Sequence, residues 1–279
     1  MENETLKTYK NFVDNKFSRS ESNLTSKVAY QATTLNVVAS TRKDLRNSLQ
    51  SNRKGLELYA ASTAQLKSQL FYRTAENLES RKVELISLLQ NINPKYEAQK
   101  DFDLALNLLI SLAGWPDKYP ALTSSVNPVN GSFLNTSQCL PTGVCLLLMA
   151  DNEQPLFTLI NKIFTPLVTG NVVTVIVDLK YGPLVQTLGE VLLNSDFTAG
   201  SINLLSANLE TLLKDSARHY DLDLIEYSTL TVKEIAQLKT ESASTNLKRT
   251  VDLLKTYPSS PASIGLFTQV KTIWQTVGY

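Results

Sequence analysis

The sequence predicts an α/β fold: a parallel sheet flanked by helices, with a small β ribbon attached. Three observations carry this expectation. Gly143-Val-Cys-Leu-Leu-Leu-Met149, Val172–Val177 and Ile202–Leu205 are unbroken apolar or β-branched runs, the pattern of parallel strands covered on both faces. Segments with helical periodicity separate them, so strand and helix alternate as in a doubly wound, Rossmann-like sheet. Residues 117–142 are instead rich in Pro, Ser, Asn, Thr and Gly, with short strand-like pieces around Asn130-Gly131, which suits an extended ribbon and a tight turn.

The elements follow in order. Residues 1–30 are polar and aperiodic, and are expected to be a loose arm or a strand in need of a partner. Residues 31–119 should supply helices that pack on the α/β unit. Ser40-Thr41 can cap a helix from Arg42 to about Asn52. A second helix is expected over Ala64–Leu88, with a break near Thr74. A third runs from about Tyr96 to Ala113, with Phe102, Leu106, Leu109 and Ala113 on one face, and Gly114-Trp-Pro116 ends it.

The unit at 143–261 is the Rossmann-like domain. Its first strand leads to a helix opened by Pro155, bent by Pro166 and stopped by Gly170. After Val172–Val177, Pro183 opens the next helix. Leu209–Arg218 is helical and Leu222–Tyr227 is a strand. Short helices are expected at Val232–Thr240 and Thr245–Lys255, and Tyr257-Pro-Ser-Ser-Pro261 reads as a linker. Residues 120–142 and 262–279 should hold the strands of an oligomerisation ribbon, the last being Leu266–Trp274.

Composition excludes several function classes. The 279 residues carry 27 Lys+Arg against 26 Asp+Glu, a net charge of +1, which gives no electrostatic footprint for nucleic acid. No apolar run approaches the ~20 residues a spanning helix requires, and Met1-Glu-Asn-Glu-Thr5 is polar. A cytoplasmic protein without membrane or nucleic-acid partners is therefore expected. Two cysteines and one histidine are too few for a disulfide scaffold or a cysteine-rich metal centre.

The candidate chemistry is thin. Any Ser-His-Asp or Cys-His device must use His219, yet no nucleophile elbow lies near Ser216-Ala-Arg-His-Tyr220, and a helix-end histidine is expected. Cys145 sits among strand leucines and reads as a small inert hydrophobe. Cys139 has no basic neighbour in sequence to activate it. Lys180, just after Val172–Val177, stands where a doubly wound fold touches a ribose or phosphate. Yet the strand-to-helix turn Tyr227-Ser-Thr-Leu-Thr-Val-Lys-Glu234 holds no glycine, although a backbone that approaches a pyrophosphate needs one.

At these residues the sequence resembles the cofactor-binding half of the aldehyde dehydrogenase superfamily. Pro155-Leu156 through Thr169-Gly-Asn171, Pro183-Leu184 with Gly189-Glu190, Phe197-Thr-Ala-Gly-Ser-Ile-Asn203 and Asp221–Ile225 are similar to successive family segments. Ser40-Thr-Arg-Lys-Asp-Leu45, Arg73-Thr-Ala-Glu-Asn-Leu78, Ala113-Gly-Trp-Pro-Asp-Lys-Tyr119 and Thr268-Gln-Val-Lys-Thr-Ile-Trp274 look like family 16, in which a complete dehydrogenase unit precedes a truncated, non-catalytic one. The chain resembles that second unit.

The resemblance implies degenerate cofactor positions. The family's oxyanion asparagine falls on Glu153, or on Asn152 after a one-residue slip. Its ribose-binding lysine falls on Val177, or on Ile176, and the turn's glutamate on Lys180. The Gly-Ser pair of its Phe-Thr-Gly-Ser turn falls on Thr229-Leu230, and a later glycine on Glu234. Where the family would continue into the domain bearing its nucleophilic cysteine, Val251-Asp-Leu-Leu-Lys255 leads toward the final strand, so the catalytic cysteine domain is expected to be absent. The resemblance thus implies a pseudoenzyme without a cofactor, acting as a binding partner. It would dock on itself or on a full-length aldehyde dehydrogenase through Leu266, Phe267, Val270, Ile273 and Trp274. Two alternatives remain: an NAD- or NADP-binding subunit of an aldehyde oxidoreductase, and a hydrolase using His219.

Overall fold

A computed structural model describes residues 7–31 and 33–277. Its centre is a seven-stranded sheet. β8 (Val144–Met149), β9 (Val172–Asp178), β10 (Ile202–Ala207), β11 (Leu224–Glu226) and β12 (Arg249–Val251) are mutually parallel. With β2 (Asn11–Val13) and β3 (Lys16–Ser18) the order is β12-β11-β8-β9-β10-β2-β3. The chain steps from β8 to β9 to β10 in one direction, then returns to the other side of β8. The topological switch point therefore lies between β8 and β11, where doubly wound folds hold ligands.

Two further sheets complete the β structure. β1 (Thr8–Tyr9), β5 (Thr33–Val38) and β4 (Thr25–Tyr30) form one; β13 (Thr268–Thr276), β7 (Phe133–Pro141) and β6 (Ser125–Asn127) form the ribbon.

The expected strand–helix relay is present. α6 (Pro155–Leu167) links β8 to β9, α7 (Gly182–Leu193) links β9 to β10, and α8 (Leu209–Arg218) links β10 to β11. Right-handed crossovers put α6 and α7 on one face and α8 on the other, where α1 (Arg42–Ala60) lies beside it. α2 (Ala64–Ser80), α3 (Lys82–Ile92) and α4 (Ala98–Ala113) stack over α6 and α7. Every residue of β8 and β10 is buried, as strands covered on both faces require. Asn52 of α1 fixes its helix to the start of β9 and the loop before β10 by donating to Val173 O at 3.1 Å and Gly200 O at 2.7 Å. Gly55 allows that approach, because a Cβ there would come within 2.7 Å of Ala199 O.

Several expectations need correction. The described part of the supposed arm, residues 7–30, is built into sheets, while residues 1–6 lie outside the described residues. Asp14-Asn15, both at positive φ, make the tight turn that lets β2 and β3 pair and bury Phe12 in the core. The helix break falls at Arg81 rather than Thr74, because Thr74 Oγ1 bonds back to Leu70 O at 2.7 Å and stays within the helix. The helix expected at Thr245–Lys255 is β12 followed by a short 3-10 turn. The parallel edge of β11 captures Arg249–Val251 and overrides local propensity.

The ribbon also contains α5 (Lys118–Thr123), and the supposed linker leads into α10 (Pro261–Gly265). Trp115 Nε1 donates to Ser259 Oγ at 2.9 Å and fixes that segment. The last strand lies within the ribbon, as expected, two residues further on. β13 lies antiparallel to β7 from Thr268↔Pro141 to Thr276↔Phe133, leaving one edge open.

Candidate functional site

The crevice at the carboxyl ends of β8, β9 and β11 is where this topology offers a site. The turn after β11 closes it. Thr229 Oγ1 donates to Leu148 O at 2.9 Å and accepts from Ala150 N at 3.0 Å. One hydroxyl thus occupies two main-chain groups at the end of β8 and ties the β11 turn across the switch point. Glycine could make neither bond. Leu230, the next residue, is buried and its N–H bonds to Tyr227 O at 2.9 Å. Thr231 then caps α9 (Val232–Ala243) through a capping box with Glu234, whose carboxylate accepts from Thr231 N at 2.8 Å. The resident glutamate therefore meets the amino end of this helix.

On the opposite wall, Val177 and Ile176 are fully buried strand residues and present no polar group to a ribose. Lys180 sits in the 3-10 turn Leu179–Tyr181, where Asp178 caps its N–H at 3.1 Å. Its ammonium pairs with Asp151 and lies 5.0 Å from the Tyr181 ring centre. Asp151 Oδ1 also accepts from Tyr181 OH at 2.9 Å and Tyr96 OH at 3.1 Å. Burial pushes the Asp151 carboxyl up, but the bonds from Lys180 and Tyr181 outweigh it and hold the group below its usual range. Burial drives the Tyr181 phenol up. Tyr181 therefore stays a neutral donor.

The loop into α6 is equally self-contained. Asn152 Oδ1 accepts from Gln154 N and Thr158 Oγ1, both at 3.1 Å, and its amide donates to Ala150 O at 3.3 Å. Glu153 is exposed and lines an open cavity of about 450 Å³ with Lys95, Tyr96 and Lys100. Asp101 reaches across from α4 to accept from Leu156 N at 2.9 Å and Phe157 N at 2.8 Å, so it caps the amino end of α6. Burial pushes its carboxyl up to about 6, against those two hydrogen bonds.

Beneath the turn lies a buried ion pair that the sequence reading missed. Lys162 of α6 and Glu226 at the end of β11 are both fully buried and joined directly. Lys162 also donates to Ser228 Oγ at 3.0 Å, and Glu226 Oε1 accepts from Ser228 N at 2.8 Å and Leu253 N at 3.3 Å. Burial lowers the Lys162 ammonium, and Glu226 opposes that. The available signal was Lys162 as the one charge in the helix Pro155–Leu167. Its partner, 64 residues away, left no local trace.

The remaining candidates do not join this site. His219 terminates α8, and its Nδ1 accepts from Asp221 N at 3.2 Å within its own loop. Burial lowers its pKa. Cys145 is buried in β8, and burial drives its thiol up. Cys139 lies half-buried on the ribbon. Among the described residues no cluster of three His, Cys, Asp or Glu is placed to hold a metal ion, and no helix is long and apolar enough to cross a membrane. Of the expected interaction residues, Val270 and Trp274 are well exposed, Ile273 and Leu266 are half-buried, and Phe267 is in the core. Phe267 belongs to the turn before β13, where its carbonyl accepts from Thr142 N at 3.1 Å and Asn171 Nδ2 at 3.0 Å, and its ring is fully buried. It is not a docking residue.

The aldehyde dehydrogenase family model matches residues 17–253. The chain belongs to the aldehyde dehydrogenase family. It is 30% identical over 221 residues to the mitochondrial aldehyde dehydrogenase of Leishmania tarentolae, covering 77% of this chain and 43% of that protein. It is 27% identical over 250 residues to cytosolic aldehyde dehydrogenase 1 of Elephantulus edwardii, covering 85% of this chain and 48% of the relative. Among solved structures, betaine aldehyde dehydrogenase from Staphylococcus aureus in complex with NAD+ superposes with a TM-score of 0.80 at 18% identity, over 88% of this chain and 49% of that one. At that identity the likeness shows the fold. The chain spans about half the length of the relatives it matches.

Proposed function

We propose that this chain is a catalytically inactive aldehyde-dehydrogenase-like protein that acts as a structural or regulatory binding partner. The observation that carries this reading is Thr229, whose hydroxyl ties the turn after β11 to the end of β8 where the family's turn has glycine. Three resident carboxylates support it. Asp101 caps α6, Glu234 caps α9, and Asp151 pairs with Lys180. Each satisfies a positive feature that a dinucleotide phosphate would otherwise meet. No cofactor is needed for this role. The partner is a second copy or a full-length aldehyde dehydrogenase, engaged through the last strand.

Titration calorimetry of the full chain with NAD and with NADP tests the reading. The expected result is no binding tighter than ~1 mM, a free energy of roughly −4 kcal/mol. Micromolar binding of either nucleotide would overturn the closed-crevice reading in favour of a nucleotide-binding subunit.

A further inference from the structure

At the amino ends of β8, β11 and β12, the end of the sheet opposite the crevice, lies a cavity of about 640 Å³. Sites that hold small molecules have volumes of this order. Its walls come from separate parts of the chain. Arg53 of α1, the loop 220–223 that leads into β11 and the segment 246–249 that becomes β12 supply most of them. Thr142, just before β8, and Gln269 of β13 complete the lining.

The charges in this cavity are only half paired. Arg53 Nη2 lies 3.0 Å from Asp223 Oδ2 and donates to Asp221 O at 2.8 Å. Asp223 Oδ2 also accepts from Val144 N at 2.8 Å. That pair is satisfied within the fold. Two charges of opposite sign remain. Arg249 donates only to the main-chain carbonyls of Thr268 and Gly265, and the Asp221 carboxylate accepts no hydrogen bond; neither has an ionic partner among the described residues. Arg249 N donates to Asp223 O at 3.3 Å, which sets the two unpaired charges on neighbouring stretches of main chain. Thr142 Oγ1 is buried without a hydrogen-bond partner among the described residues, an unmet polar atom of the kind that a bound group satisfies. On the rim, Tyr220 and Leu247 are 86% and 83% exposed.

We infer that this cavity binds a free α-amino acid with an apolar side chain. The ligand carboxylate meets Arg249 with the Gln269 amide beside it, the ligand ammonium meets Asp221, and the apolar side chain lies between Tyr220 and Leu247. One small zwitterion thereby pairs both free charges and covers two exposed apolar groups. A ligand with a single charge leaves one pole of the site unpaired. A polyanion is disfavoured, because Asp221 and Asp223 face the same space. The site stands at the other end of the sheet from the crevice and is independent of the binding-partner reading.

Titration calorimetry of the full chain with L-leucine is the test, and a dissociation constant of ~1 mM or tighter is expected. L-Leucine amide and N-acetyl-L-leucine each lack one of the two charges and should bind ~10-fold or more weakly than L-leucine. Asp221→Asn removes the negative pole of the site without removing a side-chain bond that the fold uses. It should weaken L-leucine by a similar factor, close the gap between L-leucine and N-acetyl-L-leucine, and leave thermal unfolding unchanged. Binding of L-leucine weaker than ~1 mM, derivatives that bind as tightly as L-leucine, or an Asp221→Asn variant with full affinity would each overturn the proposal. The comparison of derivatives needs no variant, so it decides the matter even where a substitution disturbs folding.

Discussion

At residue scale, the most consequential group is the ion pair between Lys162 and Glu226, fully removed from solvent at the back of the crevice. Two charges taken out of water repay their desolvation only when both are paired and hydrogen-bonded. Ser228 and the Leu253 N–H complete that bonding here. Lys162→Met leaves a buried carboxylate without its cation and should lower stability by ~3–5 kcal/mol. Adding Glu226→Leu should return most of that loss, because an apolar pair needs no compensation. Urea denaturation of the two variants checks this; equal stability of the single and double variants would refute it. Neither residue was singled out from sequence, since an isolated lysine in a helix and a strand-ending glutamate become a pair only once α6 is laid on the sheet.

At the scale of elements, α6 depends on a cap supplied by another helix. Asp101 of α4 takes the Leu156 and Phe157 N–H groups, a bond across 55 residues that no local capping pattern foretold. Burial lifts its carboxyl in the folded state to about 6, above the usual carboxylate range. The folded state therefore holds the proton more tightly. The stability this contributes is fully present below pH ~4 and is lost as pH rises through ~6, by about 3 kcal/mol. Asp101→Asn cannot titrate and should flatten that limb of the stability profile, measured as urea midpoints from pH 4 to 7.

Elements with strong period were legible from sequence. The β8–α6–β9–α7–β10–α8–β11 relay lies where the apolar runs placed it. Elements defined by a distant partner were not. β12 exists because β11 offers it an edge, β2 because β10 offers it one, and β3 because Asp14-Asn15 turns the chain back onto β2. The candidate site divides in the same way. The missing glycine at Thr229 could be read directly, whereas the Asp151–Tyr96–Tyr181 arrangement around Lys180 assembles residues from three separate segments.

At the scale of the whole molecule, the ribbon is rooted in the core rather than appended to it. Phe267 is fully buried while Val270, three residues on, is 66% exposed. Phe267→Ala should cost about 3–5 kcal/mol, the range for a large core aromatic. Val270→Ala should change the stability of the isolated chain by less than ~0.5 kcal/mol. Thermal unfolding at low protein concentration separates the two. A similar loss for both variants would refute the rooted ribbon. Removing the whole segment 264–279 would take Phe267 with it, so single substitutions report on docking more cleanly.

One side chain gives that rooting a mechanical meaning. Asn171 accepts from Gly143 N at 2.9 Å and donates to Pro166 O at 2.9 Å and Phe267 O at 3.0 Å. A single amide thus joins the entrance of β8, the exit of α6 and the base of the last strand. Force applied to the ribbon would pass through this rivet into the sheet and the helix together. The base of the ribbon is pinned at the same point that fixes the strand and the helix.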